Sequence, residues 1–183
     1  ALSYACIDHT STKLRKRVPY QVFVGRMNEI AFIDYTKLSQ VLEQFAKQIV
    51  SFHCEDYDIL DVYVKAKNHE QRHPPTAEHT AIEAILPIIK QFQIKSKIAV
   101  STTNSIDYIA EAKKTSDVMS EISPYYLFFD SKSITNESRR FLNTIPPVRT
   151  EKARKHLIDR VKNNAVETLS SGHTHLTTNG KKK

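Results

Sequence analysis

His53-Cys54-Glu55-Asp56 is the stretch of this chain best equipped for chemistry. A histidine followed closely by two carboxylates offers either a metal ligand or an acid–base pair at one point of the backbone. The same residues have a plainer use: a hydrogen-bonded imidazole at a strand end, with carboxylates that solvate a loop or cap a helix. His173 and His175 have HxH spacing, which puts both imidazoles on one side of an extended segment. They suit a stray metal or an anion, or simply a polar loop. His69, His73 and His79 gather around the Pro74-Pro75 pair, at spacings that match no metal motif. Arg149, just after Pro146-Pro147, is placed to position neighbouring loops through a carboxylate.

The elements that must carry these groups alternate between short apolar strands and amphipathic helices, which favours a parallel sheet with crossover helices. Strands are expected at 20–24, at 50–52 (delivering His53), at 97–100, at 117–123 and at 166–171. A helix capped by Asp34 carries Leu38, Val41, Leu42, Phe45 and Ile49 at three- and four-residue steps. Residues 65–75 read as a polar loop. A second helix opens at Thr76, with Ala81, Ile82, Ile85, Ile88, Ile89 and Phe92 inward and Pro87 as a point of kinking. Residues 105–114 form a shorter helix around Ile106 and Ile109. A last helix is capped by Thr150, with Ala153, Leu157, Ile158 and Val161 inward. Each candidate group therefore falls just past the C-terminal end of a strand, where a parallel α/β barrel assembles its active site.

A chain of 183 residues suits one domain with a real core, yet it is short of the about 250 residues typical of a closed eight-stranded barrel. No apolar run approaches the roughly 20 residues of a membrane span, and Ala1-Leu2-Ser3-Tyr4 does not open a secretory signal. Cys6 and Cys54 lie far apart with no CxxC spacing, so neither a disulfide framework nor a zinc knuckle is expected and a cytoplasmic setting is the simplest. The net charge of +7 raises nucleic acid as a partner. Its distribution argues against one: Lys13, Arg15, Lys16 and Arg17 cluster, Lys181, Lys182 and Lys183 form a tail, and the aromatic residues fall at core-like positions.

Five landmarks occur in order: Val22-Phe23-Val24-Gly25; His53-Cys54-Glu55-Asp56; Arg72-His73-Pro74-Pro75-Thr76-Ala77-Glu78; Val100-Ser101-Thr102 with Glu121-Ile122-Ser123-Pro124-Tyr125-Tyr126-Leu127; and Pro146-Pro147-Val148-Arg149 ahead of His173-Thr174-His175. In this order they resemble the amidohydrolase superfamily, specifically its dihydroorotase, dihydropyrimidinase and allantoinase group. The resemblance runs over residues 18–175. It implies an α/β fold, a parallel (β/α) barrel of the TIM type, incomplete at its N-terminal side. Residues 1–183 would be a single partial barrel domain, with 177–183 as a flexible tail or loop stub. It also implies one or two zinc ions and a metal-bound hydroxide that attacks a cyclic amide, because zinc lowers the pKa of water to about 7.

Against that family pattern, most of the metal site is replaced. The HxH strand is absent, as the chain starts downstream of it. Gln21 stands where the bridging lysine would be, and an amide cannot be carbamylated. His53 matches the first of the later histidines and is the one residual metal ligand. Ala99 replaces the next, and Gly172 replaces the aspartate that serves as ligand and general base. Tyr125 and Tyr126 replace a His-His pair, and Ile145 an asparagine that holds substrate. His175 matches the family's anion-contacting histidine. No catalytic residue is assigned. The resemblance and its gaps together imply a dihydroorotase-like protein of pyrimidine biosynthesis, catalytically inactive, with a scaffold or partner role and no cofactor. The unpaired edges of a partial barrel favour a homo-oligomer, or a second chain such as aspartate transcarbamoylase. The alternative is a zinc-dependent cyclic amidohydrolase, hydrolysing dihydroorotate to carbamoyl aspartate, whose N-terminal half lies outside this chain.

Overall fold

The computed structural model describes residues 21–24 and 49–171. Its strands are β1 (Gln21–Val24), β2 (Val50–Cys54), β3 (Ser96–Val100), β4 (Val118–Ile122) and β5 (Thr168–Leu169). Each pairs in parallel with its predecessor, in the order β1-β2-β3-β4-β5. Parallel neighbours need a crossover connection, and helices provide it. After β2 come α1 (Tyr57–Tyr63), α2 (His69–Arg72) and α3 (Pro75–Gln91). After β3 comes α4 (Thr103–Ala112). After β4 come α5 (Tyr125–Phe128), a 3₁₀ turn at Ser131–Ser133, α6 (Arg139–Leu142) and α7 (Glu151–Lys162).

Sequence and structure part in two places. Residues 65–75, expected as a loop, contain α2, and α1 lies just ahead of it. The last strand, expected over 166–171, is only Thr168–Leu169. The expected helix over 34–49 and the basic cluster at Lys13, Arg15, Lys16 and Arg17 lie outside the described residues, apart from Ile49. Among the described residues, no helix is long and apolar enough to cross a membrane.

Alternation along the strands sorts the sheet into two faces. Val50, Phe52 and Cys54 of β2, Ile98 and Val100 of β3, and Val118 and Ile122 of β4 point toward the helices, all buried. Against them α3 lays Ala81, Ile82, Ile85, Ile88 and Ile89, α4 lays Ile106 and Ile109, and α7 adds Leu157. Full burial of one such isoleucine contributes about 1.5–3 kcal/mol, so α3 is the main fastening on this face. It starts at Pro75, where the fixed φ suits a first helical position, and runs unbroken through the exposed Pro87. Both long helices stop in the same way. Gln93 after α3 and Asn164 after α7 take left-handed φ values of 50° and 56°. The next amides then reach back, from Ile94 to the Ile89 carbonyl and from Ala165 to that of Arg160.

The opposite face is of another kind. It carries Ser51 and His53 from β2, Lys97 and Ala99 from β3, and Met119 and Glu121 from β4. Register sets His53, Ala99 and Glu121 side by side in one row, with Ser51, Lys97 and Met119 in the row below.

Candidate functional site

His53 is the fourth residue of β2, so alternation turns it away from the helix-packed face. Its Nε2 lies 3.0 Å from Glu55 Oε2, and the other Glu55 oxygen lies 3.0 Å from Nδ1 of His73. Burial pushes the Glu55 pKa up, but hydrogen bonds from His53 and His73 outweigh it and hold the carboxyl down at about 2. An ionised carboxylate only accepts, so His53 donates from Nε2 and His73 from Nδ1. The strand-end histidine is thus turned onto a carboxylate two residues away. Asp56 takes the other role open to this acidic pair: its Oδ1 accepts from the Ile59 amide at 3.0 Å and caps α1.

The histidines near the Pro74-Pro75 pair divide into two environments. The His69 and His73 rings meet tilted, 4.7 Å between centroids. His69 Nε2 donates to the Thr144 carbonyl at 2.7 Å, and its pKa is held below the ordinary value, chiefly by burial. His79 stands edge-on to Tyr108 at 4.4 Å, away from the other two.

Beside this group lies a second, denser one. Glu78 is fully buried on the first turns of α3. It accepts the Ser101 amide at 3.0 and 3.1 Å, the Ser101 hydroxyl, and the Thr102 hydroxyl at 3.1 Å. Arg149 donates from Nε to Ser101 Oγ at 3.1 Å and from Nη1 to the His73 carbonyl at 2.5 Å. Its Nη2 stands 4.0 Å from Glu78 Oε2. Arg149 does position loops, as its place after the Pro-Pro pair suggests, but its link to the carboxylate runs mainly through Ser101. Three connections, those leaving β2, β3 and β4, are fastened together here. Nearby, Tyr126 donates to the Pro146 carbonyl at 2.7 Å, and burial raises its phenol pKa. Cys54, buried on the helix side, has its thiol pKa raised by burial and then by Glu78 and Glu55, which makes it inert.

One charged pair on the sheet face opposite the helices carries no signal in the one-dimensional pattern. Lys97 Nζ meets Glu121 Oε2 as an ion pair, with side chains only 6% and 13% exposed. A small cleft of about 160 Å³ lies further out, lined by Asn68, His69, Glu70, Arg139 and Asn143 among others.

These donors do not fit a zinc centre. Catalytic zinc takes about three protein ligands. Beside His53 the register puts Ala99, a methyl, where a second imidazole would be needed. Gln21 lies on β1. Among the described residues, no group of three or more His, Cys, Asp or Glu side chains is placed to hold a metal ion. Gly172, His173 and His175, with the expected anion contact of His175 and the tail at 177–183, lie outside the described residues.

The dihydroorotase of Pyrococcus abyssi is 30% identical over 144 residues, covering 77% of this chain and 33% of that protein. The dihydroorotase of Pyrococcus horikoshii is 27% identical over 155 residues, covering 84% and 34%. Among solved structures, the dihydropyrimidinase of Brevibacillus agri NCHU1002 superposes with a TM-score of 0.72 at 25% identity, covering 84% of this chain and 36% of its own. A D-hydantoinase from a Bacillus sp. AR9 gives 0.75 at 24% identity, covering 88% and 38%. No family model matches. The fold and these likenesses place the chain in the amidohydrolase superfamily, with the parallel α/β architecture of its TIM-type barrels. Within it the sequence is dihydroorotase-like. The chain spans about a third of the length of the curated relatives it matches.

Proposed function

We propose that this chain is a dihydroorotase-like protein that does not hydrolyse dihydroorotate itself and serves pyrimidine biosynthesis as a scaffold or partner. The observation that carries this reading is the row His53, Ala99, Glu121 on the sheet face opposite the helices. Where the family's chemistry needs converging imidazoles, this row supplies one histidine already hydrogen-bonded to Glu55, a methyl, and a carboxylate paired with a lysine. Activation of water at neutral pH requires a gripped cation, and these groups offer it poor purchase. Ala99 and Gly172 remove two donors by residue type alone.

The partner that suits the reading is aspartate transcarbamoylase, or a second copy of the chain. A bound partner would keep a role for the fold after its chemistry is gone. The test uses the full-length polypeptide. Dihydroorotate hydrolysis should match the buffer blank, and elemental analysis should find no stoichiometric zinc. Turnover together with stoichiometric zinc would overturn the proposal. Co-purification with a transcarbamoylase supports the scaffold role, and a monomeric mass with no associated chain removes it.

A further inference from the structure

We infer that the cleft between α2 and α6 binds a small zwitterion, an α-amino acid with a short apolar side chain, taking its carboxylate on Arg139 and its ammonium on Glu70. Glu70 comes from α2 and Arg139 from the first position of α6, and both line the cleft of about 160 Å³. Opposite charges that face one small space ordinarily meet. No ion pair joins these two, and among the described residues neither side chain has a hydrogen-bonding or ionic partner. The side-chain amides of Asn68 and Asn143, on the same lining, are equally uncommitted. Leu142 and Val148 supply a buried apolar part of the wall. None of His53, Ala99 and Glu121 lines this space, so its chemistry does not depend on whether their row holds a metal.

The walls are set before any ligand arrives. His69 Nε2 donates to the Thr144 carbonyl at 2.7 Å and ties α2 to the segment after α6. The Ser131 amide donates to the Arg149 carbonyl at 2.8 Å and ties the 3₁₀ turn to the chain beyond Val148. A gap already held open between unlike charges loses little freedom when a ligand fills it. A guanidinium presents a planar fork that matches a carboxylate, and an ammonium has three donors for Glu70 and the asparagine carbonyls. A simple anion would satisfy Arg139 but stand against Glu70, and a simple cation the reverse; a zwitterion matches both. The volume falls below the about 300–1,000 Å³ of pockets for drug-sized ligands, which excludes a nucleotide. Leu142 and Val148 favour a methyl or isopropyl group over a further charge.

The experiment titrates the full-length polypeptide with L-alanine, N-acetyl-L-alanine and L-alaninamide, read from the backbone amides in ¹⁵N–¹H spectra. L-alanine should move amides of α2 and α6 to saturation with a Kd of about 0.1–10 mM, ordinary for so small a ligand. N-acetyl-L-alanine lacks the ammonium and L-alaninamide the carboxylate. Each should bind at least about tenfold more weakly, having lost one charge-assisted contact. E70Q and R139Q should each weaken L-alanine by a similar factor, and R139K should recover part of the loss. Both side chains reach solvent, so these variants are expected to fold, and their spectra show whether they do. The analogue series uses the unsubstituted chain and decides the matter however the variants behave. No saturable shift from L-alanine at about 50 mM overturns the inference. So do equal binding of N-acetyl-L-alanine, which would mark an anion site only, and shifts confined to other elements. Zinc with dihydroorotate turnover would fail the earlier functional reading and leave this cleft untouched; silence toward L-alanine would fail only this one.

Discussion

Glu55 organises the site at the scale of single residues. It holds two imidazoles at once, and the sign of its effect on stability follows from its acidity. The carboxyl titrates at about 2 in the folded protein against 4.5 ordinarily. A group whose folded pKa is depressed contributes stability that is complete above the ordinary value and is lost as pH falls toward the folded one. The window is therefore about pH 4.5 down to 2, and the amount about 3 kcal/mol. Urea unfolding of Glu55→Gln should show a deficit of that order against the unsubstituted protein near pH 6, shrinking as pH falls below 4.5. A deficit that stays constant with pH would mean that Glu55 acts by packing alone. This residue also marks the limit of what the chain discloses in one dimension. His53, Glu55 and Asp56 stand out by type, and the capping role open to Asp56 is the one it takes. The partner of Glu55 is 18 positions on, at His73, and only the return of the chain through α1 and α2 brings it near. Lys97 and Glu121 are less legible still. Each is a charged residue at an inner position of a strand, but nothing in the order of residues says that their strands adjoin.

At the scale of elements, periodicity is a good guide wherever a helix has one buried stripe. α3, α4 and α7 show theirs as isoleucine and leucine at three- and four-residue steps, and the structure places them within two residues of the expected bounds. α1 escapes such a reading because it buries no stripe: Val62 and Tyr63 at its end are 77% and 44% exposed. α2 is a single turn in a polar stretch, and its residues carry no apolar pattern to find. β5 likewise buries little: only Thr168 and Leu169 pair, beside Glu121 and Ile122, and Leu169 is 57% exposed. Helix endings are a place where the chain accepts a cost. Gln93 occupies a left-handed conformation that a side chain with a Cβ disfavours, and it is exposed. Gln93→Gly should therefore raise unfolding free energy by about 0.5–1 kcal/mol, net of the greater entropy glycine loses on folding. Chemical denaturation measures it. A loss of stability would mean that the Gln93 side chain makes a contact worth more than the strain.

At the scale of the whole molecule, the parallel order β1-β2-β3-β4-β5 means that each strand lies beside the one made just before it. Pairings of this kind close modest loops in turn, with no wait for a remote segment. A ribosome releasing such a polypeptide would emit repeating modules, each finding its template already in place. Deuterium uptake by the folded protein should show a gradation in stability across the sheet: amides of β3, at its centre, should exchange last, and those of the two-residue β5 well before them. Uniform uptake across the five strands would instead mark one indivisible cooperative unit.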